Sequence, residues 1–394
     1  MNNWKETILD SVAGIIKNPW KPGDDFSKYI GLEHINENSL TLNGIGNSEE
    51  LKSSKFKFRN GDILFGKLRP YFRKVITPNF DGICSTDIWV IRAREGFDQK
   101  YLFYFVANPV FIDKSMGANT GTHMPRADWN FLKNTQWKFP PIEEQKQIAS
   151  VLSSLDDKIE LLRSENETLE KIAQGIFKEW FVNFKIDGKK LKLKNGVPEG
   201  WRMGKMGEVT KICGGTTPDT KNLAYWNGDI NWTSPKDLSD CREIFLTKTK
   251  SKITKEGLAK ISSGLLPVKT LLLSSRAPIG YLAITNIPVA INQGYIAFLS
   301  GEFFSNEYIY LWLKMNMDKV ISSANGSTFL EISKTSFRNI DIVVPKKEVF
   351  DNFQIVIDPI FDKILNNINQ IRNLSKLRDM LLPKLMSGEV KVNV

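Results

Sequence analysis

The side chains best suited to chemistry in this chain are cations and small amide or hydroxyl groups gathered in turns. Lys67, Arg69, Arg73 and Lys74 crowd one turn, and the loop NTGTHMPR (119–126) adds Thr122, His123 and Arg126. Far along the chain Arg276 and the loop ANGSTFLEISK (324–334), with Asn325, Ser327, Thr328 and Lys334, occupy matching places. Lysine and arginine neutralise phosphates, while Arg, Asn, Ser and Thr can donate to and accept from base edges in a major groove. The expected chemistry is binding to duplex DNA, without bond making.

Catalytic patterns are only approached. GDILFGKL (61–68) resembles a phosphate-binding loop, but Leu68 stands where the magnesium-binding hydroxyl belongs, and the segment reads as strand. NPVF (108–111) lacks the second proline of an amino-methyltransferase motif, and no Gly-rich cofactor loop lies upstream. Pro218-Asp219 has no acidic-x-Lys partner of the kind a metal-dependent nuclease uses. The two histidines, His34 and His123, make neither a triad nor a metal cluster. Cys84, Cys213 and Cys241 are too dispersed for a CxxC site or a disulfide framework and are expected to be reduced thiols. With no apolar run long enough to span a bilayer and no signal-peptide pattern in MNNWKETILD, a cytoplasmic protein without membrane contact is expected.

The net charge of +10 invites a polyanion, and its distribution is uneven. Residues 1–140 carry +4, 141–184 carry −4, 185–345 carry +8 and 346–394 carry +2. These four segments are the expected divisions: two basic globular halves, each followed by a helix, the first of them acidic.

The elements that must hold the turns repeat themselves. FLKNTQWKFP (131–140) aligns with SFRNIDIVVP (336–345), with Pro140 and Pro345 offset by 205 residues. The same offset continues without a gap through the following helix, pairing Ile148 with Phe353, Leu155 with Ile360, and Asp157-Lys158-Ile159 with Asp362-Lys363-Ile364. Upstream the offset drifts: DILFGKLRP (62–70) lies against TLLLSSRAP (270–278), and Trp4-Lys5 against Trp201-Arg202. A repeat of two large units suits the reading of two half-sites.

Both helices carry a coiled-coil seam. In the first it is Ile148, Leu152, Leu155, Ile159, Leu162, Leu169, Ala173, Ile176 and Trp180, broken by Asn166; in the second it runs from Phe353 to Leu385 and is broken by Asn367 and Arg378. Antiparallel pairing about the midpoints sets Asn166 opposite Asn367, whereas parallel pairing would bury each against an apolar residue. A buried Asn pair lowers stability but fixes register and direction. An antiparallel intramolecular coiled coil with an Asn166–Asn367 layer is therefore expected. Ile172, Phe177 and Phe181 flank the seam and are expected to be an exposed apolar partner surface.

The halves alternate short strands such as DILF (62–65) and ICSTDIWVI (83–91) with Gly/Asn/Pro turns, then a helical stretch, YLFYFVAN (101–108) or EYIYLWLKM (307–315). The fold class expected is α+β with twisted, largely antiparallel sheets, in which Trp20, Trp89, Trp226 and Trp232 are core or strand aromatics.

Taken together, the order of variable half, PPIEEQKQIASVLSSLDDKIELL (140–162), variable half and a second helix ending LLPKLMSGEV (381–390) resembles the specificity subunit of a type I restriction–modification system. GGTTPDTKNLAYWNGDINW (214–232) resembles many target-recognition domains of that family. The resemblance implies two target-recognition domains (1–140 and 185–345), each reading one part of a bipartite DNA site. It implies spacer helices (141–184 and 346–394) that fix the separation and dock two methyltransferase subunits, with two restriction subunits where a system has them. The chain itself would be non-catalytic and cofactor-free, its partners using S-adenosylmethionine, ATP and magnesium. PKKEVFDNFQIVI (345–357) departs from the family's helix start. The alternatives are a fused single-chain restriction–modification enzyme and a coiled-coil scaffold without DNA binding.

Overall fold

The structure is a computed structural model that describes residues 3–49, 51–117, 125–239, 243–299, 301, 303–326 and 330–392. It divides into two units, Met1–Leu161 with Ile371–Val394, and Leu162–Gln370. Each unit holds one half of the repeat plus a length of both long helices.

In the first unit, strand Lys5–Ile8 pairs antiparallel with Gln136–Phe139, tying together the start and end of the half. Between them lies an antiparallel sheet ordered Ala13–Ile16, Ile88–Ala93, Ile63–Gly66, Val75–Ile76. A second sheet is ordered Pro19–Trp20, Lys55–Phe58, Gly82–Cys84, Lys28–Ile30, Gly46–Asn47. Strand Ile63–Gly66 is buried along its whole length, as a central strand covered on both faces must be. The near phosphate-loop sequence is thus the strand itself. Two helices follow, each started by a side-chain cap: Asp98 accepts from the Tyr101 amide, and Asn108 accepts from the Val110 amide with Pro109 at the first helical position. Phe65, Trp89, Phe105, Phe111 and Phe139 form the aromatic centre of the core, with Phe65 and Trp89 stacked at 5.4 Å.

The second unit repeats this plan. Arg202–Lys205 pairs with Asp341–Val344, and the main sheet is ordered Lys211–Cys213, Tyr295–Leu299, Leu271–Ser274, Leu282–Thr285, Phe245–Leu246. The first four strands match the four-stranded sheet of the first unit in order. Strand Trp226–Thr233 runs parallel to Ala290–Ile291, as Lys28–Ile30 does to Gly82–Cys84. Ser305 caps the helix Asn306–Ser322, whose face Tyr308, Ile309, Trp312 and Leu313 is buried. The fold is α+β, with largely antiparallel sheets.

The long helices are Ile142–Phe177, extended by a π-turn at Lys178–Val182, and Lys347–Ser387. In the first unit Ile148, Ala149 and Leu152 share a core with Leu382, Leu385 and Met386. In the second, Ala173 and Phe177 share one with Phe353, Ile357, Phe361 and Ile364. Within each unit, advancing along one helix means retreating along the other, so the pairing is antiparallel.

Phe177 and Phe181 correct an expectation, because both are buried rather than exposed. Phe177 lies 5.1 Å from Tyr308 and 5.9 Å from Phe353, and Phe181 lies 5.0 and 4.8 Å from the same rings. Here the globular half packs against the helix on a second side, so the buried stripe is wider than a two-position seam. Ile172 remains exposed.

Candidate nucleic-acid interface

The turn after strand Ile63–Gly66 is built by three backbone hydrogen bonds. Lys67 N donates to Asp87 O (3.0 Å), Arg69 N to Pro125 O (2.8 Å) and Ala127 N to Lys67 O (2.8 Å). Arg69 adopts φ 50°, a left-handed conformation costly for a residue with a Cβ, and these bonds hold it there. Lys67, Arg69 and Arg126 are thereby brought together from two distant segments. Asp87 sits among them, 3.9 Å from the Lys67 ammonium and 3.1 Å from the Arg126 guanidinium. Arg126 is exposed, and the pairing with Asp87 leaves much of it turned to water.

The second unit builds the same turn. Ser275 N donates to Gly294 O (2.8 Å) and Ile332 N to Ser275 O (3.0 Å), at the places of Lys67 and Ala127. Arg276 bridges Glu331 through the backbone, as Leu68 bridges Arg126, and its guanidinium lies 3.5 Å from the Glu331 carboxylate. Asn325 and Glu331 exchange backbone hydrogen bonds of 3.0 Å, which pins the stem of the loop. Lys334 opens the helix Lys334–Arg338 and is exposed; its Nζ lies over Gly214, 2.7 Å from where a Cβ would stand. Thr122, His123, Ser327 and Thr328 lie outside the described residues.

Arg73 and Lys74 do not belong to this edge. Arg73 is buried, its Nε donating to Ala107 O at 2.6 Å and its guanidinium 3.4 Å from Asp379. Burial draws its pKa below the usual guanidinium value, and Asp379 works against that shift. Lys74 donates to Leu32 O at 2.8 Å and is mostly buried. Both point inward because Arg73, at φ 48°, ends the short helical turn Pro70–Phe72 and turns the chain back toward the core.

Two polar layers interrupt the apolar contact between the long helices. In the second unit Asn367, with 0% exposure, donates 2.9 Å hydrogen bonds to Asn166 Oδ1 and to Glu165 Oε2. Lys363 lies 3.3 Å from the other Glu165 oxygen. In the first unit Arg378 donates to Asp156 Oδ1 at 2.7 Å, and the other Asp156 oxygen accepts from Tyr104 OH at 2.7 Å. Arg378 also donates to Asp379 at 3.1 and 3.2 Å. Burial opposes the charge on Arg378, but Asp156 and Asp379 outweigh it and hold its pKa above the usual value. Asp156 was not singled out in the sequence, although the antiparallel register that joins 166 to 367 also brings 156 beside 378. At the offset of 205, the places of Asp156 and Arg378 hold Phe361 and Ala173, both buried in the second unit.

The family model for the type I restriction modification DNA specificity domain matches residues 1–171 and again 198–377. The specificity subunit of the type I restriction enzyme HindI from Haemophilus influenzae is 25% identical over 465 residues, covering 99% of this chain and 100% of that protein. The MjaIX specificity subunit of Methanocaldococcus jannaschii is 28% identical over 316 residues, covering 76% of this chain and 71% of that one. The crystal structure of a type I restriction–modification system S subunit from M. genitalium shares the fold, with TM-score 0.54 and 15% identity over 100% of this chain and 97% of that one. With both halves matched, the chain belongs to the type I restriction–modification DNA specificity family, as a specificity subunit with two such domains.

Proposed function

We propose that this chain reads a bipartite DNA target for a type I restriction–modification complex, each globular half taking one part of the site. The observation that carries this reading is the duplicated turn: matching backbone bonds, at Lys67 and Ala127 in one unit and at Ser275 and Ile332 in the other, bring Lys67 beside Arg126 and set Arg276 at the equivalent edge. Cations at such edges would neutralise phosphates, and the amide and hydroxyl groups beside them would reach base edges. The helices, 36 and 41 residues long, would extend roughly 54 and 62 Å at 1.5 Å per residue, more than one turn of B-DNA. They would set the spacing of the two parts and dock methyltransferase subunits, two by the resemblance, with restriction subunits where present. S-adenosylmethionine, ATP and magnesium would belong to those partners. A soluble location in the cytoplasm, where such a complex meets DNA, fits this role.

Gel shift of the chain with and without its methyltransferase, together with methylome sequencing of cells expressing both, tests the reading. A split motif and an affinity that falls steeply with salt are expected. A single unsplit motif would refute the two-reader arrangement, and no DNA binding in either state would leave the scaffold reading.

A further inference from the structure

The turn Asn292–Gly294 joins strand Ala290–Ile291 to strand Tyr295–Leu299 and is held by three hydrogen bonds. Asn292 N donates to Thr233 O (3.1 Å), the Asn292 side chain accepts from Gly294 N (2.9 Å), and Gly294 O accepts from Ser275 N (2.8 Å). With Asn292 spent on the turn, Gln293 stands at its tip, exposed. Its amide is held as well: Thr217 Oγ1 donates to Gln293 Oε1 at 2.7 Å.

Thr217 is itself anchored. Gly215 is pressed against the strand that leads to Gln293, so closely that a Cβ would stand 1.8 Å from Ile291 O. Thr216 Oγ1 donates to Lys260 O at 2.7 Å and accepts from Ser262 N at 3.1 Å. The glycine pair of GGTTPDT thus has a physical task, to let this loop lie flush and aim Thr217 at Gln293.

A glutamine side chain in water loses conformational freedom when held, and an exposed one recovers little of that through burial. Ordering it is useful when it must meet a ligand in a fixed pose. The Thr217 bond uses one lone pair of Oε1, leaving the second lone pair and both Nε2 hydrogens for an external partner. That pattern matches the N6 donor and N7 acceptor of adenine in a major groove. The backbone bond from Ser275 sets the tip beside Arg276, and Lys334 stands over Gly214, so cations for the flanking phosphates are at hand.

The first unit repeats the turn with another residue at its tip. Ser85 N donates to Ile30 O (2.9 Å), Ser85 Oγ accepts from Asp87 N (3.2 Å), and Asp87 O accepts from Lys67 N (3.0 Å). Thr86, exposed, takes the place of Gln293. A conserved scaffold bond for bond, with a different tip, is what two readers of different sequences require.

Resting on the DNA-reading function proposed above, we propose that the tip of this turn is a base-reading position, that Gln293 reads an adenine in the second part of the target, and that Thr217 positions it. The test uses the full chain in complex with its methyltransferase, comparing wild type, Gln293→Ala and Thr217→Val. Methylome sequencing reads the motif, and gel shift reads affinity for the cognate site and for random duplex. Gln293→Ala should relax one adenine position in one part of the motif and weaken cognate binding about 10- to 100-fold, leaving random-duplex affinity and salt slope unchanged. Thr217→Val should relax the same position more weakly. An unchanged motif and affinity for Gln293→Ala, beside a wild type that marks a split motif, overturns the assignment alone. A wild type without sequence-specific binding overturns both readings.

Discussion

Arg378 is 3% exposed and depends on two carboxylates, Asp156 at 2.7 Å and Asp379 at 3.1 Å, the latter shared with Arg73. Asp156→Ala would leave the guanidinium buried with half its compensation and would strip Tyr104 OH of its acceptor. Removing one partner of a buried pair costs about 3–5 kcal/mol, and orphaning a buried hydroxyl about 1–3 kcal/mol. Asp156 is 25% exposed and Asp379 remains, so the net loss should lie near the lower end, about 3 kcal/mol. Arg378→Met should cost far less, within about 1 kcal/mol, because Asp156 keeps Tyr104 and its access to water while Met fills the space. The repeat supports this asymmetry, since the same layer of the second unit is Ala173 and Phe361. Urea unfolding followed by circular dichroism, on both single variants and the double variant, measures the coupling. If Arg378→Met is as damaging as Asp156→Ala, or the cycle shows no coupling, the pair is not organised as described.

Other outcomes follow from the same geometry. Replacing both amides of the layer, Asn166→Leu with Asn367→Leu, should stabilise the helices by about 1–2 kcal/mol while relaxing their register, giving a second species of doubled mass in light scattering; a single species of unchanged mass would show that the Asn pair does not specify pairing. Arg126→Ala should reduce the salt slope of DNA binding by about one, whereas Arg73→Met should leave the slope alone and lower stability. Burial pushes the Cys84 thiol from 9.0 up to about 12, so the folded state keeps a proton that the unfolded state releases. Its contribution is intact below pH 9 and is lost up to pH 12 at about 1.4 kcal/mol per pH unit. Cys84→Ala should flatten that part of the alkaline unfolding curve, and native Cys84 should resist thiol reagents at pH 8.

The repeat, the α+β class and the antiparallel helices were legible in the sequence because each follows from spacing. An offset of 205 held through a helix keeps the two apolar seams in phase, and the seam's period and its polar breaks carry register information. What spacing could not show was direction. Arg73 and Arg126 are both arginines in turns, yet a left-handed φ at Arg73 and the carbonyl of Ala107 turn one inward, while Asp87 holds the other at the surface. Phe177 and Phe181 looked like exposed flanks until the globular half supplied Tyr308 to cover them. Asp156 is one acid among many on an acidic helix, and only the meeting of Tyr104, Asp156 and Arg378 makes it a half-buried partner of both. Which positions repeat and which helix faces are apolar can be read along the chain alone, since these are one-dimensional periodicities. Which polar groups are spent inside and which reach the surface is settled only in three dimensions. That depends on acceptors distant in the chain, as Thr217 and Gln293, 76 residues apart, illustrate.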